Sequence, residues 1–367
     1  MDIHEKKIII FMPSIDGGGV EKNLFIIANF LSKKIKDLTV ITFNNKFNSN
    51  FREGIKIINV EKRSIKIYSK YYKYLRCLWL LYKEIKKKKC LVLAFQANIY
   101  CCLLSLILRF NLITRSNSSP TGWSKNKIKN LIFKFLLKIP KKVIVNSLDF
   151  KKEIDRKFNI KSQTIYNPFN LKEVKKLSRK KVNINFFKNS YIKAINVARF
   201  TDQKDHITLL RSISILKKKN IKIKLLILGY GPNRNKMLNF IKNNQLLDYV
   251  KIINFKKNPY KYINQSNLFL LSSTYEGLPN VLLEAMCLKK FIISSNCPTG
   301  PKEILKNGKL GMLFPCKNEK ILAKKIMQYI SNKKKYNNIT LKAYKTLNRF
   351  DYNLNCQKYL KVVEEFI

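Results

Sequence analysis

Short runs of apolar, often β-branched residues alternate along the chain with stretches of helical spacing. The first run covers residues 7–12; glycines follow at positions 17–19, and apolar residues then recur at helical spacing over residues 20–31. A continuous apolar run is typical of a parallel strand that is buried on both faces. Strand, glycine turn and helix in this order predict the opening of a doubly wound α/β sheet.

The same alternation fills the first 170 residues and begins again near residue 191. Further strands are predicted at residues 38–43, 55–60, 90–94 and 142–146, and then at residues 192–197, 223–228, 250–253, 267–271 and 291–294. Helices are predicted at about residues 206–219, 233–243, 279–288 and 355–366. We therefore expect two Rossmann-like domains, residues 1–170 and 191–349, which face each other across a cleft.

Two further segments complete this domain prediction. Residues 171–190 are polar and basic with poor periodicity, which predicts a linker between the domains. A C-terminal helix at about residues 350–367 is expected to pack back on the first domain.

The composition is that of a globular protein, because hydrophobic residues make up 46% of the 367 residues. The eight cysteines form no CxxC pair with metal-ligand spacing, the only two histidines are His4 and His206, and no Asp-x-Asp motif is present. Because the first residues show no basic-then-apolar pattern, no signal segment is expected. We expect reduced thiols, a cytoplasmic location, and neither a metal nor a cofactor.

The chain is strongly basic, with 74 Lys and Arg against 22 Asp and Glu, a formal net charge of +52. One interpretation is compositional bias, because Lys, Asn and Ile are enriched together. Another is contact with an anionic membrane surface. A nucleic-acid partner ranks third and is not expected, because no stacking motif or known binding module is present.

Three segments bear on the membrane hypothesis. Residues 68–89 interleave aromatics with lysines, and residues 128–142 form a second basic and apolar stretch. Both suit helices that lie on an anionic membrane, and both equally suit amphipathic helices packed on the sheet. Residues 99–108 are apolar but too few to span a bilayer, so we predict a buried helix or a helix–strand pair there.

The most informative stretch is residues 266–305, in which a predicted buried strand leads into a polar loop and a helix. Glu276 and Gly277 lie on the loop, Pro279 suits the first helical turn, and Glu284 lies within the helix. Open α/β sheets bind ligands at the carboxyl ends of their strands, and a helix start attracts anions. Two carboxylates eight positions apart can contact different parts of one ligand, or can simply be surface acids of a helix start.

A second loop with candidate chemistry follows the strand at residues 192–197. Arg199 and Lys204 lie on this loop, and two cations at a strand's carboxyl end can neutralise a diphosphate. In so basic a chain the pair alone is weak evidence. The glycine triplet at positions 17–19 is also weak evidence, because it fits either a phosphate or sugar loop or a plain tight turn. Gly229, in a turn after a predicted strand, is weaker evidence still.

The sequence EGLPNVLLEAM, followed by SSNCPTGPKEIL, resembles the E-x7-E region of the retaining GT-B glycosyltransferases of "group 1" (family 4), and the resemblance extends over nearly the whole chain. It implies that Glu284 bonds the nucleotide ribose and that Glu276 faces the transferred sugar. It also implies donor contacts for Gly277, Leu278, Pro279 and Asn280.

The resemblance assigns the remaining candidates as well. Arg199 and Lys204 would hold the donor diphosphate in place of a metal, with Glu276 as their catalytic partner. Gly18 and Gly19 would border the cleft, and Gly229 would lie near the nucleotide base. Many members carry a histidine near the reacting sugar in the N-terminal domain. Here that region has none, and Arg115 and Asn117 are our candidates for the acceptor side.

The implied function is that of a retaining, metal-independent hexosyltransferase. It would move a hexose or N-acetylhexosamine from a nucleotide sugar, expected to be UDP-linked, to a polyprenyl-diphosphate-linked saccharide. The pathway class would be surface polysaccharide, such as O-antigen, lipopolysaccharide or capsule. The enzyme would act as a peripheral protein on the cytoplasmic face of the inner membrane. The alternatives are a nucleotide-sugar epimerase of GT-B-like fold and a non-catalytic basic protein that binds membrane or nucleic acid.

Overall fold

The computed structural model describes residues 6–15, 18–61, 68–123, 126–187 and 190–367. The chain forms two compact units. Unit 1 contains the chain up to Pro168 together with Tyr352–Ile367, and unit 2 is Phe169–Asp351.

Unit 1 is built on a seven-stranded parallel sheet with the order β3-β2-β1-β4-β5-β6-β7. Its strands are β1 (Lys7–Phe11), β2 (Leu38–Asn44), β3 (Lys56–Glu61), β4 (Cys90–Ala94), β5 (Asn111–Ser116), β6 (Lys142–Val145) and β7 (Gln163–Thr164). Because the apolar strand residues are buried on both faces, the sheet needs a helical layer on each side.

Helices supply those two layers. They are α1 (Gly19–Leu31), α2 (Lys70–Lys87), α3 (Asn98–Leu108), α4 (Lys127–Leu136), α5 (Leu148–Phe158) and α14 (Tyr352–Phe366). The helices α1 and α14 share a core with one face of the sheet. The helices α2, α3 and α4 share a core with the other face. Phe30 of α1 contacts Tyr352 of α14 edge to face, with ring centroids 6.0 Å apart.

A buried ion pair joins the first strand to α2. Lys7 and Glu84 are both almost fully buried, and Lys87 also donates to Glu84 at 2.6 Å. Burial would raise the pKa of Glu84, but hydrogen bonds from Lys7 and Lys87 and the charges of Lys7 and Lys56 lower it from 4.5 to about 2. Glu84 is therefore ionised at neutral pH and holds α2 to the sheet.

Unit 2 repeats the plan with a six-stranded parallel sheet of order β10-β9-β8-β11-β12-β13. Its strands are β8 (Ile192–Val197), β9 (Ile223–Gly229), β10 (Val250–Asn254), β11 (Leu268–Leu271), β12 (Phe291–Ser295) and β13 (Met312–Phe314). Its helices are α6 (Leu171–Ser178), α7 (His206–Lys218), α8 (Arg234–Asn243), α9 (Tyr260–Asn264), α10 (Asn280–Cys287), α11 (Pro301–Ile304), α12 (Glu319–Ser331) and α13 (Lys333–Lys345). The prediction of two Rossmann-like doubly wound units is confirmed.

Several elements differ from the sequence prediction. The helix α6 occupies the start of the predicted linker and packs against α9 and α10 of unit 2. Its hydrogen-bonded start at Asn170 and its buried Val174 explain why a short polar segment is helical. The helices α12 and α13 and the strand β13 were not predicted from the sequence.

The apolar segment 99–108 also differs from its prediction. It forms most of the single helix α3, and no strand falls within it, because β5 begins only at Asn111. The prediction of burial is wrong for one side of the helix, because Leu103, Leu106 and Ile107 are exposed. Throughout the described ranges, every helix is too short or too polar to cross a membrane.

Candidate functional site

The centre of unit 2's sheet contains a change in strand order. The strand β8 lies between β9 and β11, so the chain first builds outward to one side and then crosses to the other. At such a switch point the loops at the carboxyl ends of the two central strands diverge and leave a crevice for ligands. Arg199 and Lys204 lie on the loop after β8, and Glu276 lies on the loop after β11. The sheet therefore brings these predicted residues to the same edge.

The two loops meet in an ion pair. Lys204 Nζ lies 2.5 Å from Glu276 Oε1, and the side chains retain only 16% and 9% of their exposure. The Ser273 hydroxyl donates to the same carboxylate oxygen at 2.6 Å. Two donors on one buried oxygen orient the Glu276 carboxylate and keep the lysine ammonium beside it.

Backbone contacts hold the same two loops together. The Thr274 amide donates to the Gln203 carbonyl at 2.8 Å, and the Gln203 side chain donates to the Tyr275 carbonyl at 2.8 Å. The Ser272 hydroxyl donates to the Lys204 carbonyl at 2.8 Å. Because these contacts are made beneath the ion pair, the relative position of Lys204 and Glu276 is fixed before any ligand binds.

A third loop, which follows β12, is hydrogen-bonded to the loop that carries Glu276. The Glu276 amide donates to the Pro298 carbonyl at 2.7 Å, and the Thr299 hydroxyl donates to the Gly277 carbonyl at 3.1 Å. Gly300 then has a positive φ of 92°, and a Cβ there would lie 2.3 Å from the Gly277 carbonyl oxygen. Only glycine permits this close approach of the two loops.

Gly229 has a comparable role on the other side of the switch point. A Cβ at Gly229 would lie 1.9 Å from the Ala198 carbonyl oxygen, so the loop carrying Arg199 packs directly on the end of β9. The side chain of Arg199 itself is exposed at the edge of the sheet. The structure thus gives Gly229 a packing role next to the predicted diphosphate loop.

The loop after β11 continues into α10, which carries Glu284. Gly277, Leu278 and Pro279 are buried, and Asn280 is half-buried at the helix start. Glu284 is 3% exposed, and the hydroxyl of Tyr260, on α9, donates to its Oε1 at 3.5 Å. Tyr260 was not among the predicted site residues, because nothing in the pattern around α9 links it to α10.

The group behind Lys204 is neutral. His206 is 3% exposed, and neither of its ring nitrogens has a hydrogen-bond partner among the described residues. Burial, and then the charge of Lys204, lowers the pKa of His206 to about 3. The nearby Cys297 is a neutral thiol, because burial and then the Glu276 charge raise its pKa.

Unit 1 has a switch point of its own, between β1 and β4. The Ser14 amide, after β1, donates to the Gln96 side chain, after β4, at 2.8 Å. Gly18 caps the start of α1, where a Cβ would lie 2.8 Å from a carboxylate oxygen of Glu21, and Gly19 is the first residue of the helix. Gly17 lies outside the described residues.

The two acceptor-side candidates have different surroundings. Asn117 is half-buried, and its side chain donates to the Phe95 carbonyl at 2.8 Å. Arg115 is completely buried and donates to the Tyr359 hydroxyl and to the Asn167 side chain, each at 2.7 Å. The prediction that Arg115 lines an acceptor surface is therefore wrong, because its guanidinium instead joins β5 to α14 inside unit 1.

The part of the chain that the structure describes contains no cluster of three or more His, Cys, Asp or Glu side chains that could hold a metal ion. Seven of the eight cysteines are buried, and the eighth, Cys316, is partly exposed.

Comparison with known proteins supports the architecture. The family described as "Glycosyl transferases group 1" matches residues 178–346. An uncharacterised glycosyltransferase of Methanocaldococcus jannaschii is 37% identical over 186 residues, which are 49% of this chain and 46% of that protein. The chain thus spans about half the length of this relative.

Two further proteins match over nearly their whole length. A Campylobacter jejuni protein, the N-acetylgalactosamine-N,N'-diacetylbacillosaminyl-diphospho-undecaprenol 4-alpha-N-acetylgalactosaminyltransferase, is 25% identical, with 97% of this chain and 99% of the relative covered. The structure of Anabaena Alr3699/HepE in complex with UDP and glucose superimposes with a TM-score of 0.80 at 17% identity, covering 98% of this chain and 100% of that one. This second likeness shows the fold alone.

Proposed function

We propose that the chain is a group 1 glycosyltransferase of GT-B fold, and that it transfers a hexose or N-acetylhexosamine from a UDP-linked donor to a polyprenyl-diphosphate-linked saccharide. The pathway class is surface polysaccharide, such as capsule or O-antigen. The observation that carries the proposal is the Lys204–Glu276 pair, 2.5 Å apart at the switch point of unit 2's sheet.

The cations of this site suit a departing nucleoside diphosphate. When the bond between the sugar C1 and the diphosphate breaks, negative charge builds on the leaving phosphate. Lys204 in a nearly buried position and Arg199 at the exposed edge would stabilise that charge, and burial strengthens the effect of Lys204. On this reasoning the donor needs no divalent ion.

Glu276 complements the cations. Its carboxylate would repel the phosphates if both faced the same point, so we place it against the hydroxyls of the transferred sugar, to which a carboxylate is a strong acceptor. Glu284 would bond the ribose of the nucleotide. The hydrogen bonds from Ser273 and Lys204 hold Glu276 in one orientation, as positioning of a sugar requires.

We further propose that the reaction retains the anomeric configuration. The acceptor hydroxyl would form its bond to C1 on the face from which the diphosphate leaves, and its proton would pass to an oxygen of the leaving phosphate. This step balances without a separate enzymatic base. It therefore agrees with the sequence of unit 1, which has no histidine in the region expected near the reacting sugar.

The lipid-linked acceptor is proposed from the relatives. The Campylobacter protein acts, by its name, on a diphospho-undecaprenol-linked saccharide. Such an acceptor is anionic and held at a membrane, which suits a chain of formal net charge +52. We accordingly place the protein peripherally on the cytoplasmic face of the inner membrane.

A donor screen tests the proposal. Thermal stability is measured with a panel of nucleotide sugars in EDTA, and transfer to polyprenyl-diphosphate saccharides is then followed by mass spectrometry. We expect one UDP-sugar to stabilise the protein without metal, and we expect an α-linked product from an α-linked donor by NMR.

Variants connect the result to the site. Lys204→Met should lower UDP-sugar affinity at least about 10-fold, because a nearly buried cation is lost, and Glu276→Gln should remove most transfer. Lys236→Met changes an exposed lysine of α8 and serves as the matched control.

Three results would contradict the proposal. A donor that binds only with a divalent ion would refute metal independence. Conversion of the UDP-sugar without an acceptor would indicate an epimerase. Unchanged donor binding and transfer in both Lys204→Met and Glu276→Gln would remove this site from the mechanism.

A further inference from the structure

Three neighbouring helices of unit 1 present large apolar side chains to the solvent. The helices α2, α3 and α4 cover one face of the sheet, with α3 in contact with both of the others. Their inward sides join one core through Cys77 and Leu81, through Cys101 and Cys102, and through Leu136. The opposite sides of the three helices therefore form one outer layer of unit 1.

The clearest case is α4, whose apolar stripe points away from the protein. Ile128, Leu131, Ile132 and Phe135 recur at i, i+3, i+4 and i+7, the spacing of a single helix face. Their exposed fractions are 70%, 69%, 48% and 62%. An amphipathic helix normally turns such a stripe to the core, so the outward stripe of α4 is available to something other than its own sheet.

The helix α3 also directs large apolar side chains to the solvent, while it buries small ones. It buries the small residues Cys101, Cys102 and Ser105 and exposes the large Leu103, Leu106 and Ile107, the last at 74%. The helix contains no charged residue. Exposure of this outer side to water is unfavourable, because each aliphatic side chain would lower the free energy if its apolar surface were buried.

Aromatic residues and cations cover the outer side of α2. Tyr71, Leu75 and Trp79, at spacings of four, are 69%, 65% and 50% exposed. Lys83 Nζ lies 3.6 Å from the centroid of the Trp79 ring. Aromatic rings next to lysines are characteristic of the bilayer interface, where rings lie at the headgroup level and ammonium groups contact lipid phosphates.

We call the outward sides of α2, α3 and α4 the outer helical surface. It holds twelve of the eighteen large hydrophobic side chains that are exposed among the described residues. Its charges all have one sign, since the only acid of the three helices, Glu84, is buried. The exposed cations are Lys70, Arg76, Lys83, Lys86 and Lys87 on α2, and Lys127, Lys129 and Lys134 on α4.

The outer helical surface also adjoins an edge of the sheet suited to ligands. The helix α3 begins at Asn98, four residues after β4 ends, at the carboxyl edge of unit 1's parallel strands. The Asn98 side chain donates to the Arg115 carbonyl at 3.0 Å, which ties the helix start to the neighbouring strand β5. An acceptor held by its lipid at the headgroup level would reach this edge beside α3.

We infer that the outer helical surface docks on an anionic lipid bilayer, with the apolar side chains of α3 and α4 inserted below the headgroups and the lysines on lipid phosphates. A bilayer fits because the apolar area extends over three helices and all its exposed charges are positive. The inference adds the contact surface to the proposed function, and it rests on that function only for the reason why the protein needs a membrane.

Vesicle binding tests the inference. The full chain is sedimented with vesicles of phosphatidylcholine containing phosphatidylglycerol, and with pure phosphatidylcholine. We expect Ile107→Glu and Leu131→Glu each to weaken binding to the anionic vesicles at least about 10-fold, because a carboxylate would enter the interface beside lipid phosphates. Leu247→Glu is the matched control, since Leu247 is 71% exposed but lies in unit 2.

Tryptophan emission gives a second measurement. The chain has two tryptophans, and Trp79 is the one on the outer helical surface. On anionic vesicles, brominated lipids should quench the wild-type emission and shift it to shorter wavelength. Trp79→Phe should lose this response. Quenching that is unchanged in Trp79→Phe would refute the assigned orientation.

Two outcomes separate this inference from the proposed function. With a short-chain, water-soluble acceptor, Ile107→Glu should transfer sugar at the wild-type rate, whereas transfer to a vesicle-embedded acceptor should fall. Vesicle binding by a protein that transfers no sugar would contradict the proposed function alone.

Equal vesicle binding by wild type, Ile107→Glu and Leu131→Glu would overturn the docking surface. Dimers that Ile107→Glu dissociates, without vesicle binding, would assign the surface to a second copy and also overturn it.

Discussion

Replacing Gly300 by alanine should damage both stability and transfer, because the added Cβ would displace the neighbouring loop. Gly300 combines a φ of 92° with a Cβ position 2.3 Å from the Gly277 carbonyl oxygen and 2.9 Å from Pro279 Cδ. The neighbouring Pro298 and Thr299 hydrogen-bond the backbone of Glu276. A Cβ at this point therefore pushes on the loop that carries the catalytic candidate.

A second glycine separates backbone strain from the clash. Gly308 has nearly the same φ, 88°, but the closest atom to its Cβ position is 3.8 Å away. A positive φ costs an alanine at least about 1–2 kcal/mol, and this cost applies to both positions. Overpacking adds about 1–3 kcal/mol at Gly300 only. We expect a loss of about 1–2 kcal/mol for Gly308→Ala and about 2–5 kcal/mol for Gly300→Ala.

The effect on transfer follows from distance. An ordinary contact needs about 3.4 Å where the Cβ would have 2.3 Å, so the Gly277 carbonyl must move by about 1 Å. A displacement of about 1 Å in a positioning loop can cost about 100-fold in rate. Gly300→Ala should therefore reduce transfer by about this factor at temperatures where it is fully folded, and Gly308→Ala should transfer at nearly the wild-type rate.

The assay combines three measurements. Urea unfolding followed by circular dichroism gives the free energy of unfolding, and hydrogen exchange of residues 268–305 reports on the displaced loops. Both tryptophans lie in unit 1, so their emission shows whether that unit remains folded. Equal stability and equal transfer in Gly300→Ala and Gly308→Ala would refute the reasoning, because the close approach of the two loops would then have no consequence.

Three further predictions follow from the described contacts. Arg115→Met should cost about 2–4 kcal/mol in unfolding and raise hydrogen exchange in α14, whereas Tyr359→Phe, which removes one hydrogen bond, should cost about 1–2 kcal/mol. Glu84, with a folded pKa of about 2 against 4.5, contributes stability above pH 4.5 that is lost as pH falls towards 2. Between pH 4.5 and 2, Glu84→Gln should lose roughly 3 kcal/mol less free energy of unfolding than the wild type, as measured by urea unfolding at a series of pH values. Iodoacetamide should alkylate Cys316 before the buried thiols, as mass spectrometry of the native protein would show.

Much of unit 2 could be predicted from the sequence because its signals are local. The apolar runs at β8 and β11 identify strands, and the polar loops that follow them carry Lys204 and Glu276. Parallel strands present their carboxyl ends at one edge, so the meeting of these loops needs no further information. The glycines at 229 and 300 are different, because only the structure shows which carbonyl oxygen each one approaches.

The errors of the sequence analysis concern contacts between distant parts of the chain. Arg115 and Tyr359 are 244 residues apart, and nothing local indicates that a guanidinium on β5 is buried against α14. The segment containing α6 was read as a linker because its burial depends on α9 and α10.

The sequence by itself determined two doubly wound sheets and the loops that carry the candidate donor chemistry, since hydrophobic periodicity and turn residues act over a few positions. Only the tertiary structure decided the direction of each apolar helix face. Periodicity defines a stripe on α4, but whether that stripe meets the sheet or the solvent depends on the volume left by its neighbours. Because the small residues of α3 and Leu136 of α4 already complete the core, the larger side chains point outward.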